Sequence, residues 1–201
     1  YVFTVQVTDN GSPPWSDTAT FTVLVREAMS SSITSLLVKD INPFTQGAQP
    51  HEFVEVNGIV FFAAASMGQD LDVELWRTDG TEGGTWRVKD IYPGPSSSNP
   101  SELTAFNQRL YFAANDGSGG GELWTSDGTE GGTVRVKDIA PGAASSSPAE
   151  LTLIGSNLFF RATDNASLGN ELWKTDGTPT GTVLVKDISP GNNHSTPQFL
   201  T

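Results

Sequence analysis

Glu122-Leu123-Trp124-Thr125-Ser126-Asp127-Gly128-Thr129, followed by Glu130-Gly131-Gly132 and then Thr133-Val134-Arg135-Val136-Lys137-Asp138-Ile139, is the stretch that decides the fold. A short run rich in apolar and β-prone residues enters an Asp-Gly-Thr turn. A Gly pair follows, and the chain leaves in a second β-branched run, which is the pattern of a β-hairpin. The pattern recurs. Glu74-Leu75-Trp76 leads to Asp79 and Val88–Ile91, and Glu171-Leu172-Trp173 leads to Asp176 and Val185–Ile188. A further Val-Lys-Asp-Ile stands at Val38–Ile41 without a tryptophan before it. Its aspartates, Asp40, Asp90, Asp138 and Asp187, follow at steps of 50, 48 and 49 residues.

Upstream of each hairpin lie two more strand signals. Glu102–Phe106 alternates, Asn107-Gln108 makes a tight turn, and Leu110–Ala114 is apolar. Asn57-Gly58 and Gly155-Ser156 occupy the same turn in the other copies. Four antiparallel strands in a repeat of roughly 49 residues predict an all-β chain of β-propeller blades. Residues 35–41 read as the last strand of an earlier unit, three whole units follow, and residues 197–201 open another. The expectation is therefore a partial propeller, an arc of a ring cut from a longer protein. The ELW…DGT motifs resemble the ELWxxDGT repeats of large bacterial surface or secreted proteins. The resemblance implies a propeller-like array and no defined activity.

Residues 1–25 read differently. Tyr1, Phe3, Val5 and Val7 alternate, as do Phe21, Val23 and Val25, around the turn signal Asp9-Asn10-Gly11-Ser12-Pro13-Pro14. This stretch resembles the closing two strands of a cadherin-like or Ig-like sandwich. In that resemblance Asp9 matches a calcium-binding aspartate; as a residue by itself it is an ordinary turn former. Residues 26–34, REAMSSSIT, are a polar linker, and 35–201 carry the repeats.

The composition narrows the functions. Lys plus Arg number 11 against 23 Asp plus Glu, a net charge of −12. Such a surface repels nucleic acid and anionic lipid. No apolar run approaches the roughly 20 residues that span a bilayer, and with no cysteine there are neither disulfides nor thiolate metal sites. The expectation is an extracellular, non-enzymatic binding, adhesion or scaffold module whose partner is a protein or glycan at a cell surface. A calcium-stabilised stalk and a fragment of a glycan-active propeller enzyme are the alternatives.

Repeat lengths vary in one place. The step from each Val-Lys-Asp-Ile aspartate to the second-strand phenylalanine (Phe62, Phe112, Phe160) is always 22, and from each Trp to the next such aspartate always 14. Between that phenylalanine and the Trp it is 14, 12 and 13. All length change thus falls in the loop joining strands 2 and 3, which marks the surface free to diversify. That loop and the linker to the next unit share one end of the sheet, the expected interaction face; the 1–2 turn and the 3–4 hairpin share the other.

Trp76, Trp124 and Trp173 could stack on sugars, but identical mid-strand positions beside Leu favour core packing. Asp79, Asp127 and Asp176 read as turn-fixing residues, superficially like the Asp-box hairpins of sialidase propellers. Asp90, Asp138 and Asp187, placed on strand 4, read as hydrogen-bond acceptors, with the adjoining lysines pairing locally. Asp116 and Asp164, with Glu122 and Glu171 beside them, flank the variable loops and are, with Asp9, the candidate calcium ligands, since oxygen donors on Gly-rich loops suit that ion. His51 and His194 lack a nucleophile or acid at motif spacing.

Overall fold

The computed structural model describes residues 3–8, 16–21, 36–43, 47–66 and 72–198. Asp9 and the linker 26–34 lie outside them. Among the described residues the chain is all-β, with no helix and three four-stranded antiparallel sheets. Among the described residues no helix is long and apolar enough to cross a membrane. Separately, β1 (Phe3–Thr8) and β2 (Ser16–Phe21) form a two-stranded antiparallel sheet with Phe3 opposite Phe21.

Sheet 1 runs β3 (His51–Val56), β4 (Ile59–Ala65), β5 (Val73–Thr78) and β6 (Trp86–Lys89). Sheet 2 runs β7 (Ser101–Phe106), β8 (Arg109–Asn115), β9 (Gly121–Ser126) and β10 (Val134–Arg135). Sheet 3 runs β11 (Ala149–Ile154), β12 (Asn157–Ala162), β13 (Glu171–Thr175) and β14 (Val183–Lys186). Each is a simple meander in chain order. The first strands of neighbouring sheets draw together, β3 with β7 and β7 with β11, so the sheets fan outward from that side.

Because side chains alternate across a strand, every sheet has two apolar faces. Phe61, Leu75, Val88 and Ile91 of sheet 1 pack against Leu103, Leu110, Phe112 and Trp124 of sheet 2. Sheet 2 turns Phe106, Tyr111, Leu123, Val136 and Ile139 to Leu158, Phe160, Ala162 and Trp173 of sheet 3. The Leu of each Glu-Leu-Trp thus faces forward and the Trp backward. The three tryptophans are buried, and none of their indole Nε1 atoms has a partner. Covering a Trp contributes about 5 kcal/mol at roughly 25 cal/mol per Å², against about 1–3 kcal/mol for an unmade hydrogen bond, so packing wins.

The fourth strands are shorter than the sequence suggests. The expected strand Thr133–Ile139 reduces to Val134–Arg135, and Asp90, Asp138 and Asp187 lie past their strands rather than on them. In every copy the Ile N–H at the end of this run turns from the ladder to a buried glutamate, Ile91 to Glu74, Ile139 to Glu122 and Ile188 to Glu171. Residues 36–43 form no strand, although Ile41 packs on the backward face of sheet 1 beside Phe62 and Trp76.

Candidate functional site

The two ends of the sheets are built from different devices. At the hairpin end, Asp79, Asp127 and Asp176 each accept from the backbone N–H and hydroxyl of the Thr two residues on, at 2.9 and 2.7 Å in every copy. These hydrogen bonds lower all three carboxyl pKa values. The next residue is a glycine in the left-handed region, φ +87° at Gly128 and +98° at Gly177. A Cβ there would collide with Arg77 and Phe61, or with the Tyr111 hydroxyl, of the preceding sheet. The turn needs glycine for its conformation and for the close approach.

The lysines do not pair locally. Lys39 Nζ donates to the Thr85 carbonyl at 2.7 Å, Lys89 to Thr133 at 2.9 Å and Lys137 to Thr182 at 2.7 Å. Each lysine therefore ties its own unit to the hairpin of the next. On the first strands, Glu52, Glu102 and Glu150 sit in β-bulges at φ +59°. Glu52 Oε2 accepts from Leu103 N at 3.3 Å, and Glu102 Oε2 from Glu150 N at 2.8 Å, so each of these two reaches the bulge of the following sheet.

At the loop end the central group is the glutamate of Glu-Leu-Trp. Glu74, Glu122 and Glu171 are fully buried. Glu122 accepts from Ile139 N (3.0 Å), Ala140 N (3.1 Å), Ser146 N (3.3 Å) and Ser146 Oγ (2.8 Å). Glu74 holds Ile91, Tyr92 and Ser98 in the same way, and Glu171 holds Ile188 and Ser195. One carboxylate thereby satisfies the donors of a linker that carries no regular structure, as buried N–H groups require. Burial raises the pKa of Glu74 and Glu122 despite these bonds. At Glu171 burial also pushes upward, but the bonds from Ser195 and Ile188 outweigh it and the pKa is lowered.

Glu122 and Glu171 therefore face inward, away from the variable loops they flank in sequence. The motif Ser of each linker, 24 residues after its Glu in every copy, is the signal that sequence reading passed over.

Asp116 and Asp164 fold their loops onto themselves. Asp116 Oδ1 accepts from Ser118 N, Ser118 Oγ and Gly119 N at 2.7–3.0 Å. Asp164 Oδ1 accepts from Ala166 N, Ser167 N and Leu168 N, and Oδ2 from Ser167 Oγ. Burial opposes ionisation in both, but these donors prevail, lowering Asp116 and bringing Asp164 to about 2. Neither joins another acid. Among the described residues the acids near enough to share a cation are Asp72, Glu74 and Asp90. There Arg87 already contacts Asp72 at 3.0 Å and Asp90 at 3.6 Å, and the Glu74 oxygens are taken by the linker.

Loops and linkers are stitched together: Asn115 N donates to Ser98 O, Thr163 N to Ser146 O and Asn165 Nδ2 to Ser145 O, at 3.0–3.1 Å. Between sheets 2 and 3 this end opens a cleft of about 370 Å³ whose lining includes Asn99, Glu102, Asn115 and Ser147. His51 Nδ1 lies 2.8 Å from the Gln49 carbonyl, and His194 Nδ1 accepts from Asn170 N at 2.9 Å, so each ring is engaged by backbone.

No family model matches the sequence, and no curated protein or solved structure matches it.

Proposed function

We propose that this chain is a non-enzymatic extracellular binding or scaffold module, an arc of three β-propeller blades of the ELWxxDGT kind that presents its 2–3 loops to a protein or glycan partner. The carrying observation is the division of labour between the ends. Glu-Leu-Trp, Asp-Gly-Thr and the lysines Lys39, Lys89 and Lys137 are consumed in holding sheets, hairpins and linkers together. The loops at the other end vary in length and sequence, and those of sheets 2 and 3 are pinned by Asp116 and Asp164 and by the linkers. Variable surface on a rigid frame is the usual design of a recognition face. The fanning of the sheets from their first strands supports the blade reading. The hairpin β1–β2 fits the closing pair of a cadherin-like neighbour.

The test is binding to a glycan array and to immobilised extracellular-matrix proteins. Replacing residues 116–120 and 164–169 by Gly-Ser should abolish the signal, while Glu130→Ala at the hairpin end should leave it intact. Retention of binding after loop replacement would overturn the face assignment.

A further inference from the structure

The two junctions between sheets follow one pattern, yet the loop end of the second departs from it. Asn115 stands where sheet 1 has Ala65, Gly121 where it has Val73 and Ser101 where it has His51. Arg161 of sheet 3 stands where sheet 2 has Ala113. Asn115 and Arg161 thus bring hydrogen-bond donors to alanine positions, while Gly121 and Ser101 are smaller than the residues they replace. All four line the cleft of about 370 Å³ between sheets 2 and 3, whose size lies in the range of small-molecule sites. Ala113, Ala114 and Pro148 give it an apolar side. Its polar residues hold unused hydrogen-bonding capacity. Asn99 Oδ1 accepts from Ser97 Oγ at 2.8 Å, and Asn115 Oδ1 from Gly117 N at 2.7 Å. Each amide is held by its oxygen, and its Nδ2 has no acceptor among the described residues. Glu102 uses Oε2 on the bulge of sheet 3, and its Oε1 accepts from none of the described donors. Arg161 Nε is buried without a partner.

We infer that this cleft binds one uncharged pyranose residue of a glycan, with Asn99 and Asn115 donating to its hydroxyls and Glu102 accepting from them. Oriented donors and an open acceptor beside apolar surface match a sugar ring, which presents hydroxyls at its edge and C–H groups on its faces. The charges of Glu102 and Arg161 cancel, and the chain as a whole carries −12, so an acidic sugar is disfavoured. The inference rests on the loop end being the recognition face and goes beyond it in naming the ligand class and the residues that read it.

The test is an NMR titration of the isotope-labelled chain with methyl β-galactoside, methyl β-glucoside and methyl α-mannoside. At least one should bind with a Kd of about 1 mM, as suits a single ring in an open cleft. It should shift the side-chain amides of Asn99 and Asn115 and the backbone amides of Ser101, Gly121 and Ser147. The methyl glycoside of glucuronic acid should bind at least about tenfold more weakly than methyl β-glucoside. Asn115→Asp keeps the oxygen that holds Gly117 and removes the donor, so it should weaken binding at least about tenfold while the melting temperature stays within about 2 °C. Asn115→Ala, which installs the residue of sheet 1, should weaken binding as much. No shift up to about 10 mM glycoside, shifts confined to residues outside the cleft, equal binding of the glucuronide, or an unchanged Kd in both variants would overturn the site. Replacing residues 116–120 and 164–169 leaves every one of these groups in place. Cleft shifts together with array binding that survives that replacement defeat only the face assignment. Absent shifts together with loop-dependent array binding defeat only the cleft.

Discussion

Sheets 2 and 3 carry the same motifs in the same register and differ in what stands over them. In sheet 2 the forward residues are sealed and Lys137 is bound; in sheet 3 the matching residues meet water and Lys186 is free of partners among the described residues. Glu122 and Glu171 make closely matching hydrogen bonds, yet one carboxyl is raised and the other lowered. The linker geometry is nearly constant between them, so the depth of surrounding protein decides the sign. A repeat motif thus fixes local contacts, while its ionisation and stability depend on the neighbour.

The largest test of that contrast is Ile139→Asp against Ile188→Asp. The first buries an unpaired charge and should cost about 4 kcal/mol or more, enough to unfold sheets 2 and 3. The second should stay within about 1 kcal/mol in urea melts. Equal effects would break the comparison.

Next comes Glu122→Ala. It strands the Ile139 and Ala140 N–H groups inside the molecule, while Ser146 keeps the Gly121 carbonyl as acceptor, and it should cost about 3 kcal/mol, with increased proteolysis within residues 139–147. Glu171→Ala should cost less, because water can reach the donors it leaves. Smaller still is Lys137→Met, which removes one inter-sheet bond and should cost about 1 kcal/mol. Lys186→Met should be neutral by the same melts.

The pH profile sharpens the picture further. Asp79, Asp116, Asp127, Asp164, Asp176 and Glu171 have lowered pKa values in the folded state. Their stabilisation is complete above the ordinary carboxylate range and is lost as pH falls through the lowered values. Glu74 and Glu122 act oppositely: the folded chain prefers their protonated form, so their contribution declines as pH rises through the window between ordinary and raised values. With more groups in the first set, stability should fall on acidification below about pH 4. Asp164→Asn should flatten the part of that fall which extends towards pH 2, as read by acid titration of the circular dichroism signal.

Much of the architecture was legible in the sequence. Period-2 alternation around 1–2 turns such as Asn57-Gly58, and the Asp-Gly-Thr hairpins, gave every sheet its four strands, because turn chemistry and alternation act over a few residues. The pairing of loop with linker at one end and turn with hairpin at the other also followed from meander topology. The strand 4 boundary did not. Val136, Lys137, Asp138 and Ile139 have strand propensity, and only a glutamate 17 residues upstream in sequence explains why the Ile139 N–H leaves the ladder. The Asp116 and Asp164 loops show the same limit. The residue types suit a cation, and only the geometry reveals that the loop's own N–H groups occupy the Oδ1 atoms.

The sequence by itself determined the repeat, the strand count per unit, the turns and the single place where length varies, since each is written in short-range pattern. Tertiary structure alone decided what the charged residues of that repeat do. The lysines reach forward to the next sheet, the bulge glutamates cap its backbone, and the buried glutamates hold the linkers. Those roles depend on which N–H and carbonyl groups folding leaves unpaired and out of water, and that is a property of the packed sheets rather than of any stretch of chain.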